Sequence, residues 1–128
     1  MIAVDTSALI ALALAEPTAA RVREAIGAAG AIAISAGTLA ETLVVARRRD
    51  RGAEIKELLA DLDVEVVPVT REFAEKVADA YDRWGKGVHP AGLNFADCFA
   101  YALAIDRLCP LLFVGEGFAK TDVVAALT

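Results

Sequence analysis

Four acids in this sequence stand where alternating strands and helices can bring them together. Asp5 follows the apolar run Ile2 to Val4, Glu41 and Asp97 lie inside apolar helical stretches, and Glu116 follows Gly115. Carboxylates gathered in a partly buried cleft repel one another and resist desolvation, and the usual remedy is a divalent cation. Oxygen-only donors select Mg2+ or Mn2+. Each acid also has an ordinary use. Asp5 can cap the helix after its strand, and Glu41 can pair with Arg48 at a rim. Asp97 can complement the positive end of its helix, for about 0.3–1 kcal/mol. Both uses stay open for each residue taken singly, and chemistry follows only if the set converges.

The elements that must position these acids are written in the hydrophobic pattern. "IAV" at 2–4 predicts a short buried strand, and 7–15, apolar all round, predicts a helix packed on several sides. Pro17 suits the first turn of a second helix, which frays at Gly27 and Gly30, and "AIAIS" is a second strand. The spacing predicts a helix over 37–51, closed by arginines and Gly52, and another over 53–62. On the first of these, Glu41 lies between Val44 and Val45 and one turn from Gly37 and Thr38, a largely apolar face.

"VEVVPV" is a third strand. Thr70 caps a helix through "EFAEKVADAYDRW", without the Glu at its third position that a full capping box needs. "GKGVHPAGLN" is a loop, after which Asn94 caps a helix to Cys109, halted by Pro110, and "LLFV" is a fourth strand. This alternation predicts an α/β fold with a central, mainly parallel sheet covered on both faces. Ligand sites in such a fold gather beyond the carboxyl ends of the strands. Asp5 and Glu116 then share an edge.

The chain's 128 residues predict one domain spanning 1–128, and 57% apolar with 24% charged residues predicts a chain folded throughout. "TSALIALALA" resembles a signal-peptide core, but Asp5 precedes it without any Lys or Arg. The run also falls short of the roughly 20 residues of a membrane span. The expectation is a cytoplasmic protein with no membrane segment. Thirteen Lys and Arg against 18 Asp and Glu give a net charge of -5, which argues against nucleic-acid binding through bulk charge. Cys98 and Cys109, read on one helix, are too far apart to bridge and are core thiols.

Other chemical residues read as structural. His89, the only histidine, lies in the Gly/Pro loop as a surface residue. Arg47, Arg48, Arg49 and Arg51 fit a solvated helix end favoured by the dipole. Trp84 and Tyr81 suit a helix-to-loop anchor, and Phe95, Phe99, Tyr101 and Leu103 belong to packing. Ser7 has no histidine or lysine close in sequence to activate it as a nucleophile.

Taken together, "MIAVDTSALIALALAEP", the Glu41 helix, "WGKGVHPAGLNFADCFAYALA" and "LLFVGEGFAKTD" resemble the PIN-domain ribonucleases, specifically the VapC-type toxins of bacterial type II toxin–antitoxin pairs. The resemblance covers nearly the whole chain, and "HPAGLNFADCFAYALA" is its most specific part. It implies a PIN-like three-layer α/β/α domain. It further implies Asp5, Glu41 and Asp97 as metal-binding acids, with Ser7 and Asn94 as supporting polar groups. The family's fourth acid, immediately before the Phe of the G-x-x-F segment in "LLFVGEGFAKTD", is replaced by Gly117. Asp122 in "KTD" is the favoured substitute and Glu116 the alternative. The resemblance implies Mg2+- or Mn2+-dependent hydrolysis of single-stranded or looped RNA leaving a 5′-phosphate. A small VapB-type antitoxin that blocks the cleft and a homodimer are implied as well.

Three rival functions differ in testable ways. A haloacid-dehalogenase-type phosphatase has a second Asp two residues after the first, where this chain has Ser7. A noncatalytic PIN-fold partner-binding protein is compatible with Gly117. A response-regulator receiver needs its Asp after a middle strand and a late Lys, for which Lys120 is poorly placed.

Overall fold

The computed structural model describes residues 1–127. Its elements run β1 (Ile2–Val4), α1 (Thr6–Ala13), α2 (Ala19–Ala29), β2 (Ile32–Ser35), α3 (Ala36–Arg48), α4 (Gly52–Asp61), β3 (Glu65–Val67), α5 (Arg71–Trp84), α6 (Phe95–Arg107) and β4 (Leu111–Leu112), followed by a 3-10 turn at Phe118–Lys120. The strands pair in parallel in the order β3-β2-β1-β4.

Successive side chains of a strand point to opposite faces, and here both faces are covered. Ile2, Val4, Ile32, Ile34 and Leu112 enter a core with α1, α2 and α4. Ala3, Ala33, Leu111 and Phe113 enter a second core under α5 and α6. The result is three layers, helix, sheet and helix, and it explains why "IAV" and "IAIS" read as continuous apolar runs instead of alternating ones. Small residues on the second face meet small residues on α6: Ala3 and Ala33 share a core with Cys98, Ala100, Ala102 and Ala104.

The two sheet edges are protected differently. Residues 124–126 cover β4, with Leu111 N–H donating to the Val124 carbonyl at 2.8 Å and Ala126 N–H to the Leu111 carbonyl at 2.9 Å. β3 is the open edge. It is short, and its Glu65 carboxylate accepts two bonds from the Arg107 guanidinium, at 3.2 and 2.8 Å.

Several elements stop earlier than their sequence patterns predict. α3 ends at Arg48 because the chain turns through Asp50 at φ 55, and α6 ends at Arg107 because Leu108 takes φ 51. Cys109 therefore lies outside the helix that carries Cys98, and both thiols are free. Of "VEVVPV" and "LLFV", only Glu65–Val67 and Leu111–Leu112 are paired strand. Phe95, expected in the packing, is 68% exposed, while Trp84 is buried and donates Nε1–H to Tyr101 Oη at 2.9 Å.

Candidate metal centre

The strand order reverses at β1, with β2 and β3 on one side and β4 on the other, and a crevice opens at the carboxyl ends of such a pair. Asp5 stands there as the first residue after β1. Its backbone is extended, and its carboxylate caps α1: Oδ2 accepts from Ser7 N–H at 3.0 Å and from the Ser7 hydroxyl at 2.6 Å. The same Ser7 oxygen accepts from Val114 N–H at 3.0 Å, so one hydroxyl ties the end of β1 to the segment after β4. The other carboxylate oxygen of Asp5, Oδ1, is buried and has no hydrogen-bond partner.

Asp5 shares the lining of an open pocket of about 330 Å³ with Glu41, Asp97 and Glu16. Ser35 launches α3, its hydroxyl accepting from Gly37 N–H at 3.2 Å, and α3 carries Glu41 to the pocket wall. Asn94 launches α6 through a reciprocal box: its Oδ1 accepts from Asp97 N–H at 2.8 Å, and Asp97 Oδ2 accepts from Asn94 N–H at 3.0 Å. Asp5 and Asp97 thus perform the ordinary helix-end duty and line the pocket as well. Glu41 has no ion pair with Arg48 among the described residues. Its surroundings are apolar on one side only, since Val45 lines the pocket and Val44 is 55% exposed.

Burial pushes the Asp5 carboxyl up from its ordinary 3.8 to about 6, against the lowering effect of the two Ser7 bonds, and the negative charges of Asp97 and Glu41 add to the rise. Burial also raises Asp97, opposed by its bond to Asn94. Among the described residues no Lys, Arg or His lines this pocket.

These features fit a hard cation. An unpartnered buried carboxylate oxygen, like charges within reach of one another and the lack of a protein cation leave the pocket short of positive charge. No three His, Cys, Asp or Glu side chains among the described residues form a ready-made cage. Mg2+ does not need one, because it keeps several of its waters and is held by one or two carboxylates, with substrate phosphate completing the shell.

The structure does not bring the two expected substitutes for the fourth acid into the pocket. Asp122 accepts from the Tyr101 hydroxyl and lies 3.6 Å from the Arg83 guanidinium, on a different surface lined by Ile105, Leu108 and Val124. Glu116 is exposed, two residues beyond Val114. Asn94 contacts Asp97, and Ser7 contacts Asp5. Glu16, which the sequence patterns did not single out, is the fourth carboxylate of the lining. His89 is half-buried against Trp84, with ring centroids 4.6 Å apart, and its Nδ1 accepts from Ala91 N–H.

Asp122→Ala is therefore expected to lower stability by about 1–2 kcal/mol, through the lost Tyr101 bond. The stabilisation gained from added Mn2+ should be unchanged, as read by urea unfolding with and without the ion. A variant that no longer responds to Mn2+ would return Asp122 to the metal site.

The PIN domain family matches residues 2–124. The chain is 42% identical to ribonuclease VapC28 of Mycobacterium tuberculosis, over 97% of this chain and 96% of that protein. It is 41% identical to ribonuclease VapC of Mycolicibacterium smegmatis, over 95% and 97%. The structure of VapC20 of M. tuberculosis, a sarcin-ricin loop cleaving toxin, superposes with a TM-score of 0.81 at 18% identity, over 100% of both chains. A chain of a toxin–antitoxin complex from Klebsiella pneumoniae superposes with a TM-score of 0.74 at 20% identity, over 98% of this chain and 96% of that one.

Proposed function

Because the chain belongs to the PIN-domain family, and within it to the VapC ribonucleases, we propose that it is an Mg2+- or Mn2+-dependent endoribonuclease, the toxin of a type II toxin–antitoxin pair. The observation that carries the metal dependence is the buried, unpartnered Oδ1 of Asp5, in a pocket shared with Glu41 and Asp97 and lined, among the described residues, by no protein cation.

A divalent cation, when bound, would supply a water of lowered pKa and offset charge on the scissile phosphate. Asp5 would hold it with the carboxylate oxygen that Ser7 leaves free. Glu41 and Asp97 would hold it from the neighbouring walls, each fixed by a capped helix. Ser7 orients Asp5 and stays out of the bond-making: its proton is given to Asp5, its oxygen accepts from Val114, and among the described residues no His or Lys lines the pocket to activate it. No covalent enzyme intermediate forms.

A pocket lined by acids repels a phosphate backbone until a cation intervenes, so local geometry rather than bulk charge selects the substrate. Single-stranded or looped RNA, with unstacked bases and an accessible backbone, suits such a cleft. The K. pneumoniae neighbour, solved as a toxin–antitoxin complex, supports a VapB-type antitoxin as the partner. A homodimer and a cytoplasmic location complete the proposal. Among the described residues no helix is long and apolar enough to cross a membrane.

The test is incubation of the protein, freed of any partner, with stem-loop and unstructured RNAs. Discrete cleavage with Mg2+ or Mn2+, lost on adding EDTA, is expected, and the products should be substrates for a 5′-phosphate-dependent exonuclease. Mn2+ binding without any cleavage would leave the noncatalytic, partner-binding function instead.

A further inference from the structure

Three buried threonines cluster at the acidic pocket, Thr6 as part of its lining, and two of them are chain neighbours of its carboxylates. Thr6 follows Asp5 and opens α1, and Thr42 follows Glu41 on α3. Thr6 is 7% exposed, and Thr38 and Thr42 are wholly buried. The two hydroxyls on different helices meet at 2.8 Å, Thr6 Oγ1 to Thr42 Oγ1. Thr42 Oγ1 also donates to the Thr38 carbonyl at 2.9 Å, and Thr6 Oγ1 reaches that carbonyl at 3.3 Å. A hydroxyl has one proton. Both hydroxyls reach the Thr38 carbonyl, so whichever one donates to it leaves the other to donate between the two hydroxyls. Either way the chain of bonds runs from α1 to α3.

We propose that this hydroxyl clamp is a positioning device: it fixes α1 against α3 and thereby sets the separation of the Asp5 and Glu41 carboxylates, pre-organising the pocket for a divalent cation. Something must do so. The negative charge of Glu41 acts on Asp5, and like charges without a cation between them push their helices apart. Apolar packing alone lets two helices slide, whereas a short bond between buried hydroxyls holds one register, because breaking it strands polar groups away from water. The remaining hydroxyl of the cluster, Thr38 Oγ1, is buried without a partner and takes no part in the clamp.

The inference rests on the metal site proposed above. Its test is the Mn2+ dissociation constant, measured by calorimetric titration of the intact chain beside its melting temperature. Thr42→Val keeps the shape and removes the hydroxyl, Thr42→Ser keeps the hydroxyl and removes a methyl, and Thr6→Val removes the hydroxyl on the other side. Thr42→Val and Thr6→Val are expected to weaken Mn2+ binding on the order of 10-fold, as loss of groups that orient metal ligands does. Thr42→Ser should stay within about twofold of the parent, even where its lost methyl lowers the melting temperature more.

A purely packing role predicts the opposite order, with Ser worse than Val. Should Thr42→Val fail to fold, Thr6→Val decides, since it leaves the bond within α3 intact. Parental affinity in both valine variants would overturn the clamp and leave the metal site standing. A parent chain that binds no Mn2+ would overturn the metal site and the clamp with it.

Discussion

Asp5→Asn is expected to abolish RNA cleavage while leaving the fold at least as stable as the parent at pH 7. The two effects share one cause. Burial holds the Asp5 carboxyl at about 6 against 3.8 for an exposed one, so between those values the folded chain binds more protons than the unfolded chain. Stability then falls as the pH rises through that window, by about 3 kcal/mol from this residue alone. Above pH 6 the folded chain bears the full cost of a buried charge, a cost a bound cation removes.

Asparagine carries no charge and keeps an acceptor for Ser7. It also places an amide N–H2 where Oδ1 had no partner, which costs about 1–3 kcal/mol. Urea unfolding at pH 4.5 and 7.5 should therefore show the variant weaker than the parent at the lower pH and equal or stronger at the higher. Taking the difference between the two proteins cancels the other acids. Mn2+ should stabilise the parent, increasingly so as the pH passes about 6, and leave the variant unmoved. Cleavage should fall at least about 100-fold, since metal assistance supplies several kcal/mol of the barrier reduction. A variant that cleaves like the parent would remove Asp5 from the chemistry.

Asp5 was legible in the sequence because its position follows from local rules. An apolar run buried on both faces is a strand, an acid after it caps a helix, and strand order sets the place where a cleft opens. Asp97 was legible for the same reason, three residues into a helix that Asn94 begins. Glu16 was not. It stands in the lining because the chain folds back after α1, with Ala15 at φ 50 and Glu16 N–H donating to the Ala11 carbonyl at 2.9 Å. Nothing in "LAEP" marks an alanine for that conformation.

The one sign was negative: an acid closing an apolar run with no basic residue within four positions. The placement of Asp122 away from the pocket was not legible because its partner is remote. The Tyr101 contact spans 21 residues of chain, and it forms only after Gly115, at φ 113, and the turn beyond it redirect the backbone. The threonine bonds span 32 and 36 residues and are equally invisible to spacing. What periodicity reveals is which face of an element is buried; which side chains then meet across two elements depends on distances that no single strand or helix encodes.

Gly37→Ala is expected to weaken the fold and the metal site together, although alanine is the better helix former by about 1 kcal/mol. Gly37 lies in the first turn of α3, against Phe99 of α6. A Cβ built there would stand 2.3 Å from Phe99 Cδ1, 2.6 Å from Cγ and 2.7 Å from Cε1. Contacts that reach Cγ cannot be relieved by moving the tip of the ring. Phe99 is also held edge-on by Phe95, at 5.1 Å between centroids. The backbone must give, and overpacking of this kind costs about 1–3 kcal/mol, enough to outweigh the propensity gain.

Gly37 is one turn ahead of Glu41, and Phe99 is two residues beyond Asp97, so forcing these helices apart separates the two acids they deliver. Urea unfolding should show a net loss of about 1–2 kcal/mol, and Mn2+ titration a weaker affinity. Adding Phe99→Ala empties the space that the new methyl needs. In that background Gly37→Ala should become neutral or stabilising, a coupling that a double-mutant cycle reads directly. If Gly37→Ala alone matches or exceeds the parent, helix propensity has won, and the approach of α3 to α6 is set by contacts other than this glycine.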